Sequence, residues 1–270
     1  MPLLLKTVPP ARGLNWLGDA FRLFLRRPLA FTALFAVFLL SAVVLSLVPL
    51  LGAVLPFALS PLLSLGFMVA SQSALLDGPV HPGQFIEPLR ADPGRRRALL
   101  QLCSLYAGLA VLVMVLGAWV ADGAFERLQA VMADPKATSE AVLAAVGDPN
   151  LQNAVLLTAA LATLLAVPFW HAPALVHWGS QGVAQALFSS TLAIWRCKGA
   201  FAVYSAAWGA SFLGFSMALA LLGGLLGLGS LVSTLAAPLA MAFSTVFYVS
   251  LIFAFNDSFG GAGPGTGETS

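Results

Sequence analysis

Few side chains in this sequence have the type and spacing that chemistry requires. The three histidines are His81, His171 and His177, and none has the nearby Glu partner that a zinc-protease motif requires. His171 and His177 are six residues apart, which sets them roughly 240° apart around a helix, so they would not ligate one haem from a shared face. The sequence therefore predicts neither a metal nor a haem at these positions.

The other candidates for catalysis are no stronger. Every Asp and Glu falls in a loop or at the end of an apolar stretch, whereas aspartyl intramembrane proteolysis and proton relays need carboxylates inside the membrane. Ser211, in Gly209-Ala210-Ser211, is interpreted as a helix-contact residue rather than a nucleophile, and the sequence has no Gly-x-x-x-x-Gly-Lys loop for ATP hydrolysis. We expect no catalytic residue, no cofactor and no enzymatic activity.

One polar cluster has some claim to be a site. It consists of Trp170, His171, Pro173, His177 and Trp178. Tryptophan favours the membrane–water interface, and we expect both imidazoles to reach headgroups or water. Pro173 is expected to bend the end of its helix toward the following amphipathic segment.

Composition limits the class of protein. The chain has 270 residues, of which 59% are hydrophobic and 9% are charged, and its mean hydropathy is +0.92. A soluble domain carries about 25% charged residues, so this composition excludes a soluble globular enzyme, and it excludes a disordered chain as well. The net charge of +2 is too small and too scattered for binding to nucleic acid. An integral membrane protein remains.

Four long windows lack Asp, Glu, Lys and Arg, and a spanning helix needs about 20 apolar residues. Prolines and glycines near 49–56 and 223–229 mark hairpin turns within two of the windows. The predicted spans are about 29–48, 57–76, 98–120, 151–172, 199–221 and 231–255. They define an all-α polytopic membrane helix bundle, a single domain of residues 1–257, with six transmembrane helices as three hairpins. A disordered tail rich in Gly, Ser and Thr is expected at 258–270.

Each hairpin is preceded by an amphipathic segment. Before the first span, Leu14, Leu17, Phe21 and Phe24 share one helix face, and before the fifth a stripe runs from Ala184 to Trp195. A shorter segment, containing Phe85, Ile86 and Leu89, precedes the third span. We interpret these segments as helices lying in the membrane interface. The alternative is that they pack against the ends of the spans.

Basic residues accompany these segments. The candidates to contact anionic lipid headgroups are Arg22, Arg26, Arg27, Arg95, Arg96, Arg97, Arg196 and Lys198. With six spans, 11 of the 13 basic residues fall on one side, and only Arg127 and Lys136 fall on the other. Short loops rich in Lys and Arg stay in the cytoplasm, so both termini are predicted to be cytoplasmic. Cys103 and Cys197 are expected to be small buried hydrophobes without a disulfide.

Several short stretches resemble uncharacterised six-span bacterial inner-membrane proteins. They are Arg26-Arg27-Pro28, Val48-Pro49-Leu50-Leu51-Gly52, Phe67-Met68-Val69-Ala70, the stretch from Phe169 to Val176, Ala186-Leu187-Phe188-Ser189 and Trp195-Arg196. The chain is also similar, more loosely, to the membrane domain of some glycerophosphodiester phosphodiesterases. The resemblance implies a multi-pass protein of the bacterial inner membrane and no particular activity. It does not imply that His171 or His177 is fixed as histidine.

Two functions from different classes are expected. The first is a non-enzymatic inner-membrane protein in envelope or lipid organisation, with membrane lipids as partners through their anionic headgroups at the cytoplasmic face. The second is a small carrier of apolar or neutral solutes, which a cavity between Pro61 and Pro238 would favour. A membrane-protein partner or a homo-oligomer is left open.

Overall fold

The computed structural model describes residues 3–49, 52, 54–90, 92–134, 136–224 and 229–260, and the side chains of 229–233 are left out. These residues form α-helices, two short 3₁₀ turns and no strands. Six of the helices are long and apolar enough to cross a membrane. The prediction of an all-α membrane bundle is thereby confirmed.

The helices are numbered in chain order. Their bounds are α1 (Arg12–Arg26), α2 (Pro28–Ser46), α3 (Leu55–Leu75), α4 (Pro93–Ala121), α5 (Ala124–Ala133), α6 (Ser139–Val146), α7 (Pro149–Phe169), α8 (Ala172–Gly179), α9 (Val183–Arg196), α10 (Lys198–Gly224) and α11 (Gly229–Phe259). The helix pairs α2–α3, α4–α7 and α10–α11 occupy the places of the three predicted hairpins. Residues 50, 51 and 53 of the first predicted turn and 225–228 of the third lie outside the described residues.

Capping residues explain where several helices begin. Asp92 accepts hydrogen bonds from the backbone N–H groups of Gly94 (2.9 Å) and Arg95 (3.3 Å) and is followed by proline, so α4 begins five residues before the predicted span. The same pair, Asp148 and Pro149, begins α7 two residues before the predicted span. Thr138 caps α6 by accepting from Ala141 N–H at 3.2 Å.

The fourth span ends differently from the prediction. α7 stops at Phe169 and a separate helix, α8, starts at Ala172. Pro173 lies in the first turn of α8, so it begins a new helix instead of bending the old one. The Oγ of Ser190, in α9, stands between the two groups that would otherwise form the next helical hydrogen bond. It accepts from His171 N–H at 3.0 Å and donates to Val167 C=O at 3.1 Å, which satisfies the broken backbone.

The core follows α11, which packs against α1, α2, α3 and α10. One cluster joins α11 to α4 and α8 through Ile252, Leu102 and Leu175. α11 continues through Phe259, so it includes the first two residues of the predicted tail, and residues 261–270 lie outside the described part. Cys103 and Cys197 are free and buried, as the sequence predicts.

Candidate basic face and intramembrane cavity

The two ends of the bundle carry very different charge. α4 is 29 residues long, or about 43 Å, so its first turn and the 122–148 loop lie at opposite ends. The basic end is formed by residues 3–27, 77–90, 92–97, 170–198 and 257–260. It carries 11 basic and five acidic residues, whereas the opposite loop end carries two basic and five acidic residues.

Two of the predicted headgroup candidates near α1 are occupied within the protein. Arg22 pairs with Asp19 at 2.7 Å, one helical turn away. Arg27 donates to the backbone carbonyls of Gly78 and Asp77, and so ties the α1–α2 junction to the loop after α3. Arg26 is exposed and leaves its guanidinium available to a ligand.

The three arginines in the first turns of α4 divide in the same way. Arg95 is half-buried and donates to the carbonyl of His177 at 3.3 Å, close to the C-terminus of α8. Arg96 and Arg97 are exposed. They line an open groove of about 590 Å³ along the outer face of α4, and its other lining residues are Pro93, Leu100, Gln101 and Ser104 of the same helix. Guanidinium groups therefore stand at one end of this groove, and one apolar residue, Leu100, and two neutral polar residues, Gln101 and Ser104, follow along the helix.

α9 presents a second exposed surface at the basic end. Its small residues Ala186, Ser190 and Ala193 are buried, whereas Phe188 and Trp195 are 68% and 71% exposed. Arg196 and Lys198 follow and are exposed, and Lys198 Nζ lies 5.3 Å from the centre of the Trp195 ring. The outward face of α9 is therefore aromatic and ends in two cations, as expected of an interfacial helix.

The interfacial interpretation of α1 is wrong. Its apolar face packs against α10 and α11, and Trp16, Ala20 and Leu23 are buried there, whereas Leu14 is exposed. Gly13 makes this possible, because a β-carbon at that position would collide with the backbone carbonyl of Ala200. The alternative, a helix packed against the ends of the spans, is what the structure has. The segment before α4 is also not an amphipathic helix, since it forms the 3₁₀ turns Pro82–Phe85 and Glu87–Arg90.

The predicted polar cluster is divided between the core and the surface. His171 has no exposed surface, so the prediction that its imidazole reaches headgroups or water is wrong. Phe201, Phe255 and Phe259 surround the ring, and neither ring nitrogen has a partner among the described residues. Pro173 is buried.

His177 and Trp178 are half-buried on the other side of α8. They line a polar pocket of about 280 Å³ together with His81, Gln84 and Glu87. The pocket lies at the basic end, so His177 and Trp178 lie at the end of the bundle where the sequence predicts the membrane interface. In the part of the chain that the structure describes, no three His, Cys, Asp or Glu side chains are grouped closely enough to hold a metal ion.

A further cavity, open to the surface of the bundle, lies beside Trp170. It has a volume of about 170 Å³ and opens between α3, α4, α7 and α11. Pro61 is in its wall, as the carrier hypothesis expects, but Pro238 is not among the lining residues. Only one of the two expected helix breaks therefore borders this space.

With this geometry in hand, similarity to known proteins can be assessed. A probable inner membrane protein of Burkholderia thailandensis is 33% identical over 254 residues, which cover 94% of this chain and 93% of that protein. The chain belongs to this protein's family. No family model matches the chain. No solved structure matches it either.

Family membership confirms the resemblance to bacterial inner-membrane proteins. The looser similarity to glycerophosphodiester phosphodiesterase membrane domains finds no support in these comparisons. The protein is therefore a membrane protein with six helices able to cross a bilayer.

One cluster at the basic end was missed by sequence reasoning. Asp257, near the end of α11, accepts hydrogen bonds from Arg12 Nε (2.8 Å), Arg12 Nη2 (3.0 Å) and Trp16 Nε1 (2.7 Å). These bonds to Asp257 raise the pKa of the Arg12 guanidinium. The partners are more than 240 positions apart, and no local pattern could have joined them. The cluster fastens α1 to the end of α11.

Proposed function

We propose that the protein is a non-enzymatic inner-membrane protein that gathers anionic phospholipids at its basic end, in a role in envelope or lipid organisation. The observation that carries this proposal is the groove beneath Arg96 and Arg97. Its exposed guanidinium groups offer a phosphate two cationic partners, and the exposed Leu100, one helical turn further along α4, offers an acyl chain an apolar contact.

The dimensions of the groove suit a phospholipid. Ser104 lies eight residues beyond Arg96, so the wall runs about 12 Å along the helix axis. A guanidinium at headgroup depth would place Leu100 and Ser104 within the acyl layer, whose full thickness is about 30 Å. Each Lys or Arg near an anionic surface contributes about 1 kcal/mol of attraction.

The outward face of α9 supports the same arrangement. Phe188 and Trp195 lie on the lipid side of α9, which ends at Arg196 and is followed by Lys198, the first residue of α10. Aromatic rings prefer the headgroup level, and cations at the end of such a helix meet the phosphates there. α4 and α9 thus each place cations beside apolar groups. This matches a membrane leaflet, in which phosphates lie beside acyl chains.

The basic end is proposed to face the cytoplasm, with both termini on that side. Short segments rich in Lys and Arg are retained there during insertion, and the opposite arrangement would translocate 11 basic residues. The inner leaflet would then supply the anionic lipids.

A carrier of neutral solutes is the second candidate, favoured by the cavity beside Pro61. That cavity is bounded by one proline break instead of two. We therefore treat it as a binding site and not as a path across the membrane.

The experiment measures which lipids stay with the full chain when it is extracted from bacterial membranes in polymer nanodiscs. We expect phosphatidylglycerol and cardiolipin to be enriched around the protein. In the double variant Arg96→Gln/Arg97→Gln this enrichment should fall several-fold. The double variant Arg127→Gln/Lys136→Gln removes the same charge from the opposite end and should retain it. Equal enrichment in all three proteins would contradict the proposal.

A further inference from the structure

The length of α4 indicates the membrane depth of the residues on its outer face. The helix has 29 residues and is about 43 Å long, close to the thickness of about 40–45 Å of a bilayer with both headgroup layers. The hydrocarbon core accounts for about 30 Å, so each headgroup layer is about 5–8 Å thick. Arg96 and Arg97 lie about 5–6 Å from the start of α4, which places them in a headgroup layer.

Two rows of side chains continue from these arginines along the outer face of α4. Residues four apart lie on the same side of a helix, one turn from each other. Leu100 therefore follows Arg96, Gln101 follows Arg97, and all four side chains are exposed. One row leads from a cation to an apolar side chain, and the other leads from a cation to a neutral amide.

The amide of Gln101 stands at the boundary between the headgroups and the hydrocarbon. The backbone of Gln101 is about 12 Å from the start of α4, just inside the hydrocarbon, and helical side chains point back toward the N-terminus. The amide makes no hydrogen bond within the part of the chain that the structure describes. Ser104 differs, because its hydroxyl donates to the carbonyl of Leu100 at 3.0 Å. An amide without an acceptor at the edge of the hydrocarbon is costly.

A glycerophospholipid carries an acceptor at this level. Its ester groups lie between the phosphate and the acyl chains, and an ester carbonyl accepts the kind of hydrogen bond that the NH₂ group of Gln101 donates. A lipid whose chains are joined by ethers has no carbonyl there. The contact involves side chains and not the start of the helix, since Asp92 already accepts from the N–H groups of Gly94 and Arg95.

We propose that Gln101 makes the groove selective for ester-linked glycerophospholipids. The phosphate lies between Arg96 and Arg97, an ester carbonyl accepts from the amide of Gln101, and an acyl chain continues along Leu100. This inference rests on the proposed function, because Gln101 meets an ester only in a lipid whose phosphate the arginines hold. It adds recognition of the chain linkage to the recognition of charge.

The test compares two phosphatidylglycerols that differ only in the linkage of their chains, one with esters and one with ethers. The full chain is placed in nanodiscs of ether-linked phosphatidylcholine, so that the added lipid supplies the only esters. Equal small amounts of the two phosphatidylglycerols are added, and native mass spectrometry measures how much of each stays bound. We expect the ester form to be retained about fivefold over the ether form, the effect of one ordinary hydrogen bond.

A matched pair of glutamine variants assigns the preference to one residue. Gln101→Leu should abolish the preference, because leucine has no donor. Gln152→Leu replaces an exposed glutamine in the first turn of α7, at the opposite end of the bundle, and should keep the preference. A second readout is the infrared band of a ¹³C-labelled ester carbonyl. Part of this band should move to lower frequency beside the wild type and should not do so beside Gln101→Leu.

The arginine variant separates this inference from the proposed function. Arg96→Gln/Arg97→Gln should lower the retention of both phosphatidylglycerols. If that loss is seen but the wild type retains the ester and ether forms equally, or if Gln101→Leu keeps the preference, the role of Gln101 is overturned and the proposed function stands. Retention that does not depend on Arg96 and Arg97 would contradict both.

Discussion

Ser190 replaces one backbone hydrogen bond with two of its own. Its Oγ is inserted between the N–H of His171 and the carbonyl of Val167, and His171 and Ser190 are buried while Val167 is half-buried. Without that hydroxyl, both backbone groups would have to pair with each other or remain unsatisfied. The side chain therefore determines that α7 ends and α8 begins.

Replacing Ser190 with alanine should destabilise the fold by about 2 kcal/mol, because the buried N–H of His171 and the part-buried carbonyl of Val167 lose their partner. The free energy of unfolding in detergent micelles measures this. Ser189→Ala, at the neighbouring position, should change it by less than about 0.5 kcal/mol. Equal stabilities of the two variants would show that the backbone satisfies itself there.

Asp257 has a comparable role at the end of α11. Trp16, whose indole N–H it accepts, has no exposed surface, whereas the ion pair with Arg12 is partly exposed. Asp257→Ala should therefore cost about 2 kcal/mol of stability, chiefly through the orphaned indole, since partly exposed ion pairs contribute little. Asp19→Ala removes only an exposed pair with Arg22 and should cost about 0.3 kcal/mol. A smaller loss for Asp257→Ala than for Asp19→Ala in thermal unfolding would refute this assignment.

At the level of elements, α1 and α9 have similar sequence patterns and opposite surroundings. The positions of small residues account for the different surroundings of the two helices. Gly13 and Ala20 let α1 approach α10 and α11 closely. In α9 the small residues form the buried stripe, and the large side chains point outward. An amphipathic pattern cannot by itself separate these cases, because lipid and a protein core are equally apolar. The position of small residues within the stripe is the signal that was available.

A larger residue at Gly13 should separate α1 from the bundle. Gly13→Leu places side-chain atoms against the backbone of Ala200 and Tyr204, and a backbone contact cannot move aside as a side chain can. We expect a loss of at least about 2 kcal/mol, or no folded protein. Gly18→Leu, on the same helix with only the end of Arg22 nearby, should fold normally. Size-exclusion profiles and thermal unfolding of the two variants provide the comparison.

An ion pair joins two parts of the 122–148 loop. Arg127, in α5, donates to Asp148 at 2.8 Å, and this hydrogen bond lowers the pKa of the Asp148 carboxyl. A lowered pKa means that the pair stabilises the fold above the unfolded value of about 3.9, and that this stabilisation is lost as the pH falls through the folded value.

Asp148→Asn keeps the cap of α7 and removes the charge. The wild type should therefore melt at a higher temperature than Asp148→Asn at pH 6, and the difference should close as the pH falls through the lowered pKa of Asp148. A difference that stays constant with pH would mean that the carboxylate charge does not fasten the loop.

At the scale of the whole molecule, the sequence allowed the class and the number of spans to be predicted. Long uninterrupted apolar windows leave few alternatives to six membrane helices. The break at Trp170 and His171 could not be predicted, because the residue that stabilises it, Ser190, lies about 20 positions further on. The burial of His171 was missed for the same reason: a position within a span gives depth, but not which neighbours surround a side chain.

The charge asymmetry of the bundle is the basis of the proposed function. The loop end has more acidic than basic residues, and the basic end holds 11 of the 13 cations. If the basic end faced the periplasm, the exposed cations of α4 and α9 would meet the outer leaflet instead of the inner leaflet that the proposal requires.

Labelling in intact cells tests this orientation most directly. The full-length variants Lys136→Cys and Arg90→Cys place one exposed thiol at each end, and the native Cys103 and Cys197 are buried. A membrane-impermeant maleimide should label Lys136→Cys in intact cells and should label Arg90→Cys only after the membrane is permeabilised. Labelling of Arg90→Cys, but not of Lys136→Cys, in intact cells would contradict the account.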